Sequence, residues 1–160
     1  MIKVQREDFD IGAELARLTG GNTKIGGLAM FVGLVRDLAS QGTIAAMTLE
    51  HYPGMTEKQL GEIEAEALGR WSLQGVTIIH RYGRLEPGER IVLVATASAH
   101  RAAALEACAF LIDWLKTQAP FWKREESAAG SQWVEARETD DQAAARWSAS
   151  PPPKRREAAG

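Results

Sequence analysis

The sequence predicts an α+β domain whose largely antiparallel sheet is flanked by helices. Strand-like and helix-like runs are mixed along the chain. The two apolar runs Gly75–Gly83 and Arg90–Ser98 are joined by Arg84-Leu-Glu-Pro-Gly-Glu, which reads as a hairpin with a tight turn at Pro87-Gly88. A long Ala-rich helix then stops before Pro120, and the chain leaves it as an aromatic and cationic strand. With 160 residues, 45% hydrophobic and 25% charged, the composition fits one domain with a core of useful size. Residues 1–147 are expected to form it, and 148–160, Pro-rich and basic, to be a disordered tail.

Ile2 to Gln5 alternates like a short strand, and Asp10 to Thr19, with an acidic start and Gly20-Gly21 behind it, reads as a short helix. Gly26 to Asp37 is nearly continuous apolar sequence and predicts a buried strand. Its three glycines point to a bulge or a close backbone approach. Ile44 to Tyr52 is a further strand, closed by the turn signal Tyr52-Pro53-Gly54. Thr56 and Gln59 have capping-box spacing, and Leu60, Ile63, Ala67, Leu68 and Trp71 recur at helical spacing after them. Ser98-Ala-His-Arg opens the long helix, with Leu105, Cys108, Ile112 and Leu115 as its apolar stripe. Ala128-Ala-Gly-Ser turns the chain into a last short strand, Gln132 to Glu135.

The formal net charge of -2 gives no whole-molecule attraction to nucleic acid or to an anionic membrane, so an anion site must come from local clustering of the 19 Lys and Arg. The start lacks the apolar core of a signal peptide and no run reaches the length of a membrane span, so cytoplasmic placement is the expectation. One cysteine cannot form an internal disulfide, and three histidines with one cysteine show no metal-ligand spacing; no metal or cofactor is implied. On an apolar helix stripe Cys108 is expected to be buried and inert.

Cations recur at four places. Lys116 falls on the last turn of the long helix and Lys123 on the strand after Pro120, where alternation puts Phe121 and Lys123 on one face and Trp122 and Arg124 on the other. Two lysines at one bend either solvate or converge on an anion, and Lys116 also suits the negative end of the helix dipole. If close, each lowers the other's pKa, which helps acid, base or nucleophilic chemistry near neutrality. Arg36 stands at a strand end, where site residues often sit. His100 and Arg101 flank a helix N-terminus, where free backbone donors favour an anion; Ser98 can equally just cap that helix and Arg101 be solvated. His51 and His80 read as structural or surface residues. Trp122, Trp133 and Trp147 read as packing rather than ligand-stacking residues.

Gly27-Leu-Ala-Met-Phe-Val-Gly-Leu-Val-Arg-Asp37, Leu49 to Met55, His80 to Leu85, Ser98 to Arg101 and Lys116 to Glu125, in that order across most of residues 1–147, resemble the large, catalytic subunit of molybdopterin synthase. The resemblance implies an α/β hammerhead fold and a heterotetramer, in which two large subunits form a homodimer with a small ubiquitin-like sulfur-carrier subunit at each end. The carrier's Gly-Gly C-terminus, as a thiocarboxylate, would deliver sulfur to cyclic pyranopterin monophosphate, two transfers making the molybdopterin dithiolene. Lys116 and Lys123 then correspond to catalytic lysines. Arg36, His100 and Arg101 correspond to a substrate-anion pocket, to which Arg137 is contributed across the dimer. The same cations would also serve a non-enzymatic phosphate- or pterin-binding module, or a scaffold for a ubiquitin-like partner.

Overall fold

The structure is a computed structural model and describes residues 1–37, 44–134 and 138–148. Eight strands and four helices follow in the order β1 (Ile2–Gln5), α1 (Ile11–Thr19), β2 (Gly27–Leu34), β3 (Ile44–His51), α2 (Met55–Arg70), β4 (Leu73–Arg81), β5 (Gly83–Leu85), β6 (Arg90–Ser98), α3 (Arg101–Thr117), β7 (Phe121–Ser127), β8 (Gly130–Val134) and α4 (Glu138–Ala145), with a 3-10 turn at Arg146–Ser148. They build two four-stranded sheets, ordered β1-β4-β6-β2 and β5-β3-β7-β8. Among the described residues only β1 and β4 pair in parallel, in keeping with the α+β class and its largely antiparallel sheet.

The main core lies between one face of the first sheet and helices α2 and α3, around the fully buried Leu60, Ile78, Val94 and Leu111. The other face of that sheet packs Ile79 and Leu93 on Phe9. A smaller cluster of Val35, Met47, Leu49 and Leu85 sits under the second sheet. In α3 the buried face runs through Ala104, Ala107, Cys108 and Leu111, and Leu105 is exposed. The expected stripe was therefore rotated by about one residue, because small alanines let α3 lie close on β2 and β6 and carry much of the contact. In α2, Leu60, Ile63 and Ala67 are buried with Trp71 beyond the helix end, and Leu68 faces solvent.

Helix α2 starts before the expected capping box. Gly54 adopts φ 84°, a left-handed turn open to glycine, and its N–H donates to Glu57 at 2.7 Å. Thr56 is fully buried inside the first turn; its hydroxyl donates to the Tyr52 carbonyl at 2.9 Å and accepts the Tyr52 N–H at 3.1 Å. Between β4 and β6 the chain does more than turn. Their ladder is in register as a hairpin, but β5 steps out of it to pair with β3 in the second sheet, and Pro87-Gly88 turns only the return.

Strand β2 corrects the expectation of a buried strand. It forms an edge of the first sheet, only Ala29 within it is buried, and Met30, Phe31 and Leu34 are exposed. Its glycines behave as expected: a Cβ on Gly26 would lie 2.3 Å from the Ala99 carbonyl oxygen, one on Gly27 would lie 3.2 Å from Arg101 Cα, and Gly33 marks a bulge against β6.

Helix α4 and the 3-10 turn were not foreseen. Asp113 holds them, accepting from Arg146 and from the Trp147 indole, both at 2.7 Å, and Trp147 meets Trp71 and Phe110 edge-on. Trp147 is thus a packing residue. Trp122 and Trp133 are not; both are exposed on the outer face of the second sheet, where the Arg124 guanidinium lies 5.9 Å from the Trp133 ring centre. Of the expected tail, Ser148 ends the 3-10 turn and the rest lies outside the described residues. No helix among the described residues is long and apolar enough to cross a membrane.

Candidate functional site

Pro120 divides α3 from β7 as the sequence predicts. The helix ends at Thr117 with Gln118 as C-cap, and Phe121 already pairs with His51 in the second sheet. The last turn of α3 and the start of β7 thereby form two walls of a cleft of about 550 Å³. Lys116 lines it from the helix and Lys123 from the strand, and Arg36, just past β2, lines it from the first sheet. Lys116 and Arg36 are exposed, and Lys123 is half-buried. Two lysines from one bend and an arginine 80 residues before the first of them therefore share one concavity, which is suited to an anionic ligand.

Strand alternation holds through the site. Phe121, Lys123 and Glu125 all face the cleft, and Trp122 points out. Glu125 went unnoticed in the sequence although the same alternation places it there. Apolar walls come from Phe31, Val92, Ile112 and Leu115, so the charges work beside low-polarity surface that strengthens them. Thr139 and Asp140 of α4 add to the lining.

His80, expected to be a structural or surface residue, is structural. It lines the cleft and is only 7% exposed. Its ring stacks on Phe121 with centroids 3.6 Å apart and planes 15° apart, and Nδ1 lies 2.8 Å from the Arg81 carbonyl oxygen. Because a carbonyl only accepts, Nδ1 carries the proton and Nε2 is the acceptor. Burial foremost, with the charge of Lys123 adding to it, pushes the His80 pKa down to about 4. The imidazole is neutral at ordinary pH. No local signal in the sequence marks it, since it sits in an apolar strand run and gains its meaning from what lies across from it.

His100 and Arg101 do not join this cleft. Both are exposed at the start of α3, where His100 is the N-cap without a side-chain capping bond, and Ser98 instead points inward to donate to the Ser72 carbonyl. They stand at the opposite end of α3 from Lys116, about 22 Å away at the rise of an α-helix. Arg137 lies outside the described residues. Cys108 is buried, and burial pushes its thiol up to about 11, which leaves it protonated and unreactive.

These features define an α+β protein of two mostly antiparallel sheets with a cation-bearing cleft beside a proline bend. The chain belongs to the MoaE protein family, whose model matches residues 4–118. It is 56% identical to the molybdopterin synthase catalytic subunit of Mesorhizobium japonicum over 151 residues, covering 93% of this chain and 94% of that protein. It is 56% identical to the protein of the same name from Pseudomonas aeruginosa, covering 91% and 97%. Among solved structures, the molybdopterin biosynthesis MoaE protein from Burkholderia ambifaria superposes with a TM-score of 0.78 at 55% identity, over 94% of this chain and 99% of that one. Molybdopterin synthase from Staphylococcus aureus superposes with 0.76 at 30% identity, over 83% and 96%.

Proposed function

We propose that this chain is the catalytic subunit of a molybdopterin synthase, a sulfurtransferase that takes sulfur from the thiocarboxylated C-terminus of a small ubiquitin-like subunit and delivers it to cyclic pyranopterin monophosphate. The observation that carries this reading is the convergence of Arg36, Lys116 and Lys123 on one cleft. Both reactants are anions, and release of the carrier's carboxylate develops further charge, so fixed cations stabilise ground and transition states. Lys123 stabilises or protonates the leaving carboxylate, and Lys116 assists proton transfer at the pterin side chain. Arg36 holds substrate phosphate. Cys108 takes no part, in keeping with sulfur that arrives on a partner.

The reading needs a second copy of the chain. His100 and Arg101 belong to the substrate pocket in this scheme but cannot reach the Lys123 cleft of their own protomer. Gly27, at the start of β2, packs on Arg101, whereas Leu34, at its end, lines the Lys116 cleft. Two copies meeting antiparallel along their β2 edges bring one copy's His100 and Arg101 toward the other's Lys116 and Lys123, and cover Met30 and Phe31. Arg137 is assigned to the same shared pocket, and the domain that performs the reaction is residues 1–147.

The test supplies thiocarboxylated small subunit and pterin precursor to the wild type, Lys116→Ala and Lys123→Ala. Product from the wild type and its loss in both variants supports the assignment. Unchanged product in both variants sinks it, and tight binding of precursor without any sulfur gain favours a non-catalytic binding module.

A further inference from the structure

The two sheets meet where the chain crosses from one to the other. β4 ends at Arg81 in the first sheet and β5 begins at Gly83 in the second. His80 sits at that crossing. Its Nδ1–H satisfies the Arg81 carbonyl, the last of β4, and its ring lies face to face with Phe121, the first residue of β7 in the other sheet. His51, the cross-strand partner of Phe121, lies 6.2 Å from it, centroid to centroid, and 4.5 Å from Tyr82, so a second aromatic contact borders the stack. Phe121 follows Pro120 directly and shares its strand face with Lys123.

We infer that His80 is a positioning residue for Lys123: its ring, oriented by the Nδ1–H bond to the Arg81 carbonyl, clamps Phe121 and so sets the first residues of β7 and the Lys123 amine against the wall of the cleft. Proline fixes where the helix stops and in which direction the chain departs. It does not fix how far β7 stands from the first sheet, and the His80–Phe121 stack sets that distance. An aromatic hydrocarbon could stack but could not satisfy the carbonyl at the crossover, and an amide could satisfy the carbonyl but not stack. Imidazole in its Nδ1–H form does both, and as a neutral ring it places no second charge beside Lys123.

The inference rests on the proposed sulfur transfer only for its kinetic readout. In that assay His80→Ala and His80→Asn, the latter keeping an amide donor for the Arg81 carbonyl, are expected to lower kcat by about 10- to 100-fold, the loss typical of a slightly misplaced catalytic group. KM for the precursor is expected to stay near wild type, because Arg36 and Lys116 are held by other elements. His80→Phe, which keeps the stack, is expected to recover most of kcat. A second readout needs no turnover: reductive ¹³C-methylation labels the six lysines, and the Lys123 signal, assigned by its loss in Lys123→Ala, should move or broaden in His80→Ala and return toward wild type in His80→Phe. Should the wild type make no product, the functional reading fails and this signal alone decides the His80 role. An unmoved Lys123 signal in His80→Ala, or full kcat in His80→Ala alongside an active wild type, overturns it, as does rescue by asparagine but not by phenylalanine.

Discussion

Arg101 and Lys116 stand at opposite ends of α3, so one rigid helix holds apart two cations that the functional reading assigns to one substrate. A straight helix of this length does not fold back on itself. On the proposed reading the pocket is completed between protomers, and that makes mixed dimers informative. Lys123→Ala and Arg101→Ala are each expected to be inactive alone and to regain activity when co-assembled. Random pairing of two such variants leaves about a quarter of the sites intact in a two-fold dimer. Activity assays on the mixture check this, and no recovery above the separate variants would place both groups in one protomer.

Stability should depend on pH through His80. Its pKa is about 4 in the folded protein against 6.5 for the free side chain, with burial the main cause. The unfolded chain binds its proton near 6.5 while the folded protein refuses it until about 4. Stability is accordingly full above this window and falls as the pH drops through it, by on the order of 3 kcal/mol. Urea unfolding from pH 7 to pH 4 should show the slope in the wild type and a shallower one in His80→Phe. Asp8, held down chiefly by its hydrogen bond from Arg90, and Glu14, held down by Lys3 and then Arg17, act in the same direction at more acidic pH.

Gly26→Ala should damage the start of α3. The new Cβ would lie 2.3 Å from the Ala99 carbonyl oxygen, a backbone atom that can move only with the His100 segment. A cost of about 1–3 kcal/mol is expected, as for other overpacking changes, with a lower midpoint in thermal unfolding. Gly69→Ala, exposed in the last turn of α2 with nothing within 4 Å of its new methyl, is the control and should stabilise slightly.

Cys108 should prove silent in both chemistry and function. Native protein is expected to resist thiol-directed reagents, because the thiol is buried with its pKa raised to about 11, and to react once unfolded. Cys108→Ala should keep sulfur transfer while losing about 1 kcal/mol of stability for the small cavity it leaves. Loss of transfer in a folded Cys108→Ala protein would place sulfur on this chain.

Trp147 fastens the end of the described chain. Trp147→Ala removes its edge-on contacts to Trp71 and Phe110 and its bond to Asp113, and should cost about 3 kcal/mol. Since α4 carries Thr139 and Asp140 to the cleft lining, proteolysis within α4 should also quicken.

What the sequence determined by itself was whatever depends on neighbours along the chain. Pro120 cannot sit in a helix interior, so the end of α3 was legible, and period-two alternation made the Phe121–Lys123 face legible with it. The edge position of β2, the step of β5 into a second sheet, the seating of Trp147 and the stack of His80 on Phe121 were not. Each depends on pairing between segments distant in sequence, which hydrophobic period does not encode: an apolar run reads alike whether a strand lies central in its sheet or at its edge. Arg36, Lys116 and Lys123 could be singled out as cations at breaks in the chain, but only the tertiary structure put them in one cleft. It also held His100 and Arg101 a helix length away, because α3 spans the sheet in one rigid piece.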